Sequence, residues 1–175
     1  MTNKWLKVAL MAAAIATGTS IKIDAETVLY VPQDDRPVSL QYTVDTAREA
    51  GMTILTPPQN LISGKNYQGQ ADQIMAWVEQ NAGRADVMVL STDTLIYGGL
   101  VDSRKHNIPL TTLESRLKRI ESLKARNKKV RIYGFGTVMR SPRASGGGTE
   151  PAYYAEYGPT IFQIAALQDK LDSGS

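Results

Sequence analysis

The sequence predicts an α/β fold in which strands and helices alternate and about four strands form a parallel sheet. Three observations lead to this prediction. Short apolar, β-branched runs end at prolines or polar residues, segments with apolar residues at helical spacing separate them, and the run at 87–90 is apolar throughout. A continuously apolar strand is typical of a parallel sheet with helices on both of its faces.

The strands are predicted from apolar runs that a turn-forming residue ends. Residues 27–31 stop at Pro32, because proline cannot continue a central strand. Residues 52–56 stop at Pro57 in the same way. The two remaining strands are predicted at 87–90 and 130–135.

The helices are predicted from apolar residues that recur every three or four positions. A first helix covers 40–50 and ends before Gly51, which suits a C-terminal cap. A second helix covers 71–81, and a last helical pattern runs over 161–171.

The third predicted helix, at 110–126, has the clearest pattern of all. The spacing of Thr111 and Glu114 predicts a capping box at its start. Its apolar residues form one stripe that we expect to face the core. The stripe consists of Leu113, Leu117, Ile120 and Leu123.

The composition excludes several kinds of site. The chain has 175 residues, 42% of them hydrophobic and 21% charged, which is typical of a globular protein. It has no cysteine and one histidine, so disulfides, thiol nucleophiles, cysteine-bound zinc and multi-histidine metal sites are excluded. We therefore predict no cofactor and no metal. Oxygen ligation of Mg²⁺ or Ca²⁺ by aspartates stays open as an alternative.

The N-terminus predicts export. Lys4 and Lys7 precede an apolar run at 8–16, and small and polar residues follow at 17–25, which is the layout of a secretory signal. The run is too short to span a bilayer. We predict a signal peptide at 1–25, a secreted or periplasmic protein, and no stable membrane anchor after cleavage. The alternative is a buried amphipathic helix of a cytoplasmic protein.

The remaining residues, 26–175, are predicted to form a single α/β domain. Four strands are few for this class, and the chain stops just after an amphipathic helix. We therefore interpret the domain as the N-terminal part of a larger α/β fold. That fold is either a three-layer sheet or a barrel, of which this chain would form the first half.

Candidate site residues follow the predicted strands. In parallel α/β folds ligands bind at the carboxyl ends of strands, where loops and helix N-termini converge. The candidates in these loops are acids, guanidinium groups and one tyrosine: Asp34, Asp35, Arg36, Asp93, Tyr97, Arg104 and Arg140.

Each candidate acid also has a purely structural alternative. Asp34 is expected to turn the chain or cap a helix, with Arg36 paired to Asp35 at the surface. Adjacent residues of an extended segment point to opposite sides, so only one of the two acids would face a ligand unless a turn intervenes. Asp93 follows a wholly apolar strand, where burial raises the pKa of a carboxyl group and suits it to general acid catalysis. Asp93 is equally compatible with capping a turn.

The basic segment at 104–131 raises the question of nucleic-acid binding. It holds half of the lysines and arginines of the chain and only two acidic residues. The basic residues flank the apolar stripe of a helix, which favours a solvated face. No aromatic residues are interleaved for base stacking, so we predict no nucleic-acid partner.

Four blocks of sequence resemble those of a known family: VPxDDRPV at 31–38, LTPP at 55–58, LSxDxLxYGGLVxSR at 90–104 and VMR at 138–140. The chain is similar, over nearly the whole predicted mature part, to the bacterial domain-of-unknown-function family 4127. The resemblance implies that members are longer than this chain, and it implies no settled activity. Two departures are the threonines at 92 and 94, beside the family's aspartate, and the glycine run at 146–148.

Two functional classes follow from these residues. The first is an exported hydrolase of glycosidic bonds, because paired carboxylates suffice for that reaction without cysteine or a histidine cluster. Its acid, base or nucleophile would come from Asp34, Asp35 and Asp93. The substrate would be oriented by Arg36, Arg104 and Arg140, with Tyr97 stacking on or hydrogen-bonding to a sugar.

The second class is a non-catalytic domain that binds a sugar or an anion. In that case the arginines carry the affinity and the carboxylates position them. A third alternative is an inactive, truncated fragment. Under the first two alternatives the expected partner is a small-molecule or carbohydrate ligand.

Overall fold

The computed structural model describes residues 25–144 and 148–174. It confirms the predicted α/β fold. Four parallel strands form one sheet in the order β2-β1-β3-β4. The strands are β1 at Thr27–Val31, β2 at Thr53–Leu55, β3 at Val87–Ser91 and β4 at Arg131–Phe135.

Six α-helices lie in the described ranges. They are α1 at Gln41–Glu49, α2 at Ala71–Asn81, α3 at Thr92–Tyr97, α4 at Asp102–Lys105, α5 at Leu110–Arg126 and α6 at Tyr154–Ser173. Single 3₁₀ turns occur at Gln59–Leu61 and Ala82–Arg84. The bounds of α2 and α5 match the predicted ranges, whereas α3 and α4 were not predicted. No helix in 25–144 or 148–174 is both long and apolar enough to cross a membrane.

Two predictions fall mainly outside the described residues. The signal peptide predicted at 1–25 is described only at its last residue. The glycine run at 146–148 is described only at Gly148.

The strand order distinguishes the two predicted architectures. In a barrel of strand-helix units the strands lie side by side in chain order. Here β1 lies between β2 and β3, so the chain reverses its winding at β1. The described domain therefore corresponds to the three-layer alternative. The reversal also creates a crevice at the carboxyl ends of β1 and β3, where ligands bind in open α/β sheets.

The core lies between one face of the sheet and helices α2 and α5. Leu29 and Met88 are fully buried there and are partners in the β1-β3 register. Ile74 of α2 and Leu123 of α5 pack against them. Burial of each such side chain contributes about 1.5–3 kcal/mol to stability.

The opposite face of the sheet is only partly covered. Val44 of α1 packs beside Val28 and Tyr30 of β1, and the groove that continues toward β4 has a volume of about 340 Å³. Tyr133 of β4, on this face, is 56% exposed. The expectation of helices on both faces is thus met over β1 but not over β4 in the part that the structure describes.

The capping box predicted for α5 is wrong. The helix begins at Leu110 directly after Pro109, and no side chain caps it. Thr111 therefore lies inside the first turn. Proline directly before the helix fixes the backbone at this position without a side-chain cap.

The predicted core stripe of α5 is also partly wrong. Leu117 is 47% exposed, while Leu123 is 1% exposed. The helix is turned so that Arg116 and Arg119 face α2, where Arg116 pairs with Asp72. With the arginines on the side that faces α2, Leu117 lies toward solvent.

Helix α2 supplies acidic partners for the basic helix α5. Nη2 of Arg116 lies 2.6 Å from Oδ2 of Asp72, and Nη2 of Arg119 lies 2.9 Å from Oε2 of Glu79. Arg126 also pairs with Glu79 at 3.1 Å. These ion pairs lower the pKa of Asp72 and of Glu79, because the guanidinium groups donate hydrogen bonds to both carboxylates. Part of the basic face is thus neutralised within the protein.

Candidate functional site

Asp93 lies in the first turn of α3, directly after β3, and is 7% exposed. Its Oδ2 accepts hydrogen bonds from Nε2 of Gln33 at 3.2 Å and from the backbone N–H of Thr137 at 3.0 Å. Within the described residues no hydrogen bond reaches its Oδ1. Asp93 does not cap α3, since Oγ of Ser91 accepts from the backbone N–H of Thr94 instead. Asp93 therefore has one oxygen held in place by two donors, and its other oxygen accepts no hydrogen bond from the described part of the chain.

Gln33 connects the loops that meet at this edge. Its backbone C=O accepts from Oγ1 of Thr94 at 3.2 Å, from Oγ of Ser63 at 3.4 Å and from the N–H of Leu100 at 3.3 Å. Its side-chain amide also donates to Oγ1 of Thr137. Gln33 thus joins the loops that follow β1, β2, β3 and β4 around the Asp93 carboxylate.

Gly136 gives the last of these loops its close approach to Asp93. A Cβ at this position would lie 2.6 Å from Oγ1 of Thr92, which is closer than real Cβ contacts, and 3.8 Å from Oδ1 of Asp93. A side chain here would therefore displace Thr92 and narrow the access to that oxygen.

Asp34 lies at the end of β1 and is committed to Arg36. Its Oδ2 accepts from Nε of Arg36 at 2.8 Å and lies 2.7 Å from Nη2, and its Oδ1 accepts from the Arg36 backbone N–H at 3.2 Å. The carboxylate raises the pKa of Arg36 by accepting its hydrogen bond. The expected pairing of Arg36 with Asp35 is thus wrong. The chain turns at Asp34, so that the backbone N–H and the guanidinium group of Arg36 both contact the Asp34 carboxylate.

Asp35 has a different environment. Its backbone N–H donates to the C=O of Ser63 at 2.9 Å, and its Oδ2 accepts a hydrogen bond from the Tyr67 hydroxyl. That bond raises the pKa of Tyr67, because it stabilises the protonated phenol. Asp35 lines a cavity of about 560 Å³ together with Trp77 and Arg48. The two adjacent acids therefore have different partners, Arg36 for Asp34 and Tyr67 for Asp35.

Tyr97 lies at the end of α3 and does not share the contacts of Asp93. Its ring packs on His106, with the ring centroids 4.7 Å apart and the planes inclined by 31°. It lines a cavity of about 300 Å³ beside Arg116, whose Nη1 donates to the C=O of Ile96 at 2.6 Å. The structure therefore gives Tyr97 different neighbours from the three candidate acids.

Arg104 and Arg140 lie together in another cavity. This cavity has a volume of about 220 Å³ and is formed by α4, the segment after β4 and the start of α6. Glu150 and Tyr153 line it as well. The segment after β4 thus contributes Arg140 to this cavity and Thr137 to the hydrogen bonds of Asp93.

Several residues of this edge were not predicted from the sequence. Gln33 and Thr137 hold Asp93, Tyr67 holds Asp35, and Glu150 lines the arginine cavity. Their position in the sequence was the one available signal for a role at the site. Gln33 and Thr137 follow predicted strands as closely as the predicted acids do. Their contacts span 60 and 44 residues of sequence, a range that periodicity does not reach.

No group of three or more histidine or acidic side chains among the described residues is arranged to hold a metal ion. The comparisons with known proteins give one match. No curated protein and no solved structure matches the chain. A family model described as "Protein of unknown function (DUF4127)" matches residues 28–175, which include every described strand and helix except Thr27, the first residue of β1. The chain belongs to this family.

Proposed function

We propose that this protein is an exported, carboxylate-dependent hydrolase of glycosidic bonds, with Asp93 at its reaction centre. The observation that carries the proposal is the state of the Asp93 carboxylate. It is 7% exposed, two donors hold its Oδ2, and within the described part of the chain no hydrogen bond reaches its Oδ1. A carboxyl group that is oriented in this way, with one oxygen free of hydrogen bonds, can transfer a proton to or from a ligand that reaches it.

Glycoside hydrolysis uses a second carboxylate, and Asp35 suits this role better than Asp34. Both carboxylate oxygens of Asp34 accept hydrogen bonds from Arg36. Asp35 receives one hydrogen bond, from Tyr67, and lines a cavity of about 560 Å³. We therefore assign Asp34 and Arg36 to positioning the loop and Asp35 to the reaction.

A saccharide suits the lining of the Asp35 cavity. Trp77 offers a flat apolar surface, while Gln41 and Gln59 offer amide groups for hydroxyls. Ligand sites combine apolar and aromatic walls with a few polar groups in this manner. The volume lies within the range of about 300–1,000 Å³ that is usual for small-molecule sites.

Export rests on the N-terminal sequence. Two lysines, an apolar run at 8–16 and small residues up to 25 have the layout of a signal peptide, and 26–175 would then form the mature α/β domain. N-terminal sequencing of the protein recovered outside the cytoplasm tests this part. A mature start between residues 17 and 26 supports it, and an intact Met1 in the cytoplasmic fraction contradicts it.

The hydrolase proposal is tested by measuring the release of reducing ends from a panel of polysaccharides. The full chain and its Asp93→Asn variant are compared. Asp86→Asn is the matched control. Asp86 directly precedes β3, at the amino end of the strand, and accepts a hydrogen bond from the backbone N–H of Thr27. We expect release by the unmodified chain and by the control but not by Asp93→Asn.

The second candidate function is a non-catalytic domain that binds a sugar or an anion. The observation that favours it is the common cavity of Arg104 and Arg140. Under this alternative, Arg140→Gln abolishes saturable binding, no polysaccharide is cleaved, and Asp93→Asn has no effect on affinity.

A further inference from the structure

The cavity between α4 and the start of α6 contains two polar atoms without partners. Nε of Arg104 and Oε2 of Glu150 are both buried, and neither has a hydrogen-bond partner in the described structure. The other carboxylate oxygen of Glu150 accepts from Oγ1 of Thr149 at 3.1 Å. Buried polar atoms are nearly always hydrogen-bonded, so two such atoms in one cavity call for an explanation.

The two atoms belong to opposite charges that do not pair with each other. Arg104 and Glu150 line the same cavity of about 220 Å³, yet no ion pair joins them. Arg140 adds a second guanidinium group to the lining and is itself exposed. The cavity thus offers donors on two arginines and an unused acceptor on one carboxylate.

The wall of the cavity is held in place before any ligand binds. Tyr154 is 6% exposed, and its hydroxyl donates to the C=O of Pro142 at 2.9 Å. This bond ties the segment after β4 to the start of α6. Gly158 permits the arrangement, since a Cβ there would lie 2.4 Å from the Tyr154 ring. A cavity that is fixed in this way favours binding, because little ordering is needed when the ligand enters.

We propose that this cavity binds a small carboxylic acid that carries a hydrogen-bond donor on a carbon near the carboxyl group. The carboxylate would accept from Nε of Arg104 and from the guanidinium of Arg140, as guanidinium groups do with planar oxyanions. The neighbouring donor would bind Oε2 of Glu150. One ligand would then satisfy both unpartnered atoms.

The volume limits the size of this ligand. Each water molecule occupies about 30 Å³, so a cavity of about 220 Å³ takes a molecule of several water volumes but not a large one. Two sources supply the required chemistry at this size. A sugar acid such as a uronic acid offers a hydroxyl as donor, and an amino acid offers an ammonium group.

The choice of a sugar acid as the first probe rests on the proposed function, whereas the cavity itself does not. Arg140 lies three residues after Thr137, whose backbone N–H holds Asp93. A uronic acid in the cavity would therefore be bound by the same segment after β4 that holds Asp93. D-Glucuronate is for this reason the first probe.

The test is isothermal titration calorimetry of the full 175-residue chain with D-glucuronate, D-glucose and L-alanine. We expect glucuronate to bind and glucose, which lacks the carboxylate, not to bind. Arg140→Gln and Glu150→Gln should each weaken the binding at least tenfold. Arg140 is exposed, so its replacement leaves the fold intact. Arg84→Gln is the control, because Arg84 lies before β3, at the amino ends of the strands. Its affinity for glucuronate should stay within about twofold of that of the unmodified chain.

The other outcomes also decide the proposal. Binding of alanine with the same losses in Arg140→Gln and Glu150→Gln supports the site and assigns its donor to an ammonium group. No binding of either acid, or binding that both variants leave unchanged, overturns it. Glucuronate binding by the unmodified chain, without release of reducing ends from any polysaccharide of the panel, would refute the proposed reaction and not this site.

Discussion

Gln33 donates a hydrogen bond from Nε2 to Oδ2 of Asp93 at 3.2 Å, although 60 positions of sequence separate the two residues. The bond crosses the crevice between β1 and β3, where the sheet reverses its winding. The same amide contacts Oγ1 of Thr137 after β4. The Gln33 side chain and the backbone N–H of Thr137 therefore orient the Asp93 carboxylate together.

The first prediction concerns this positioning role of Gln33. Gln33→Ala should lower kcat for glycoside hydrolysis about 10- to 100-fold with KM nearly unchanged, because a hydrogen bond to a charged group contributes about 1.5–3 kcal/mol. Steady-state kinetics checks this, because a fall in kcat at a nearly constant KM distinguishes a positioning role from a loss of folded protein. Gln168→Ala on exposed α6 is the control. An unchanged kcat would show that Gln33 only holds the loops together.

The second prediction concerns the pair of Asp34 and Arg36. Arg36→Ala should destabilise the fold by about 1–3 kcal/mol, because Asp34 is 6% exposed and would lose its charged partner. The double variant Asp34→Asn with Arg36→Ala should cost less than the sum of the single changes, since the two residues share one interaction. Urea denaturation measures all three. Strict additivity would mean that the pair does not act as a unit.

The third prediction concerns the acid stability that the α2–α5 ion pairs provide. The pKa values of Asp72 and Glu79 are lowered in the folded chain from their ordinary 3.8 and 4.5. The unfolded chain therefore binds more protons near these values, and stability is lost as the pH falls below about 4.5. The loss should be about 1 kcal/mol, because the pairs are partly exposed.

The measurement is urea denaturation at pH 7, 5 and 3. The double variant Asp72→Asn with Glu79→Gln should show a smaller loss of stability over this range than the unmodified chain. Asp45→Asn is the control, because its ion pair with Arg48 at 3.8 Å is more exposed. An equal loss of stability in the double variant and the unmodified chain would show that groups other than Asp72 and Glu79 cause the acid sensitivity.

The fourth prediction concerns the orientation of α5. Leu123 is 1% exposed and Leu117 is 47% exposed. Leu123→Ala should destabilise the fold by about 2–5 kcal/mol, as buried leucines do, and Leu117→Ala by about 0.5 kcal/mol or less. Thermal unfolding of the two variants checks the difference. Similar losses would mean that the helix faces the sheet with the stripe that its sequence pattern predicts.

Much of the fold could be predicted because its long elements depend on local patterns. Helix α2 has apolar residues such as Ile74 and Val78 on one face, and both are fully buried. Periodicity failed where tertiary contacts decide the outcome. The six residues of α3 form a helix because Ser91 caps them, Oγ1 of Thr94 bonds the C=O of Pro32 at 2.6 Å, and Gly98 ends them at positive φ.

The site was predictable to a smaller extent. The rule that ligands bind at the carboxyl ends of parallel strands correctly directed attention to the loops after β1 and β3. The partners of each acid were not predictable from spacing. Asp34 binds Arg36 because a turn brings position 36 back, and Asp35 instead reaches Tyr67, 32 residues later. Such contacts depend on how separate loops are folded together.

The most direct test of the proposed reaction measures turnover and affinity of Asp93→Asn with the same oligosaccharide. General acid–base catalysis contributes about 10²- to 10⁴-fold to rates, so turnover should fall by at least about 100-fold. Affinity should stay within about threefold, because asparagine keeps the shape of the side chain. Full turnover in Asp93→Asn would contradict the role of Asp93, and equal losses of affinity and turnover would make Asp93 a binding residue only.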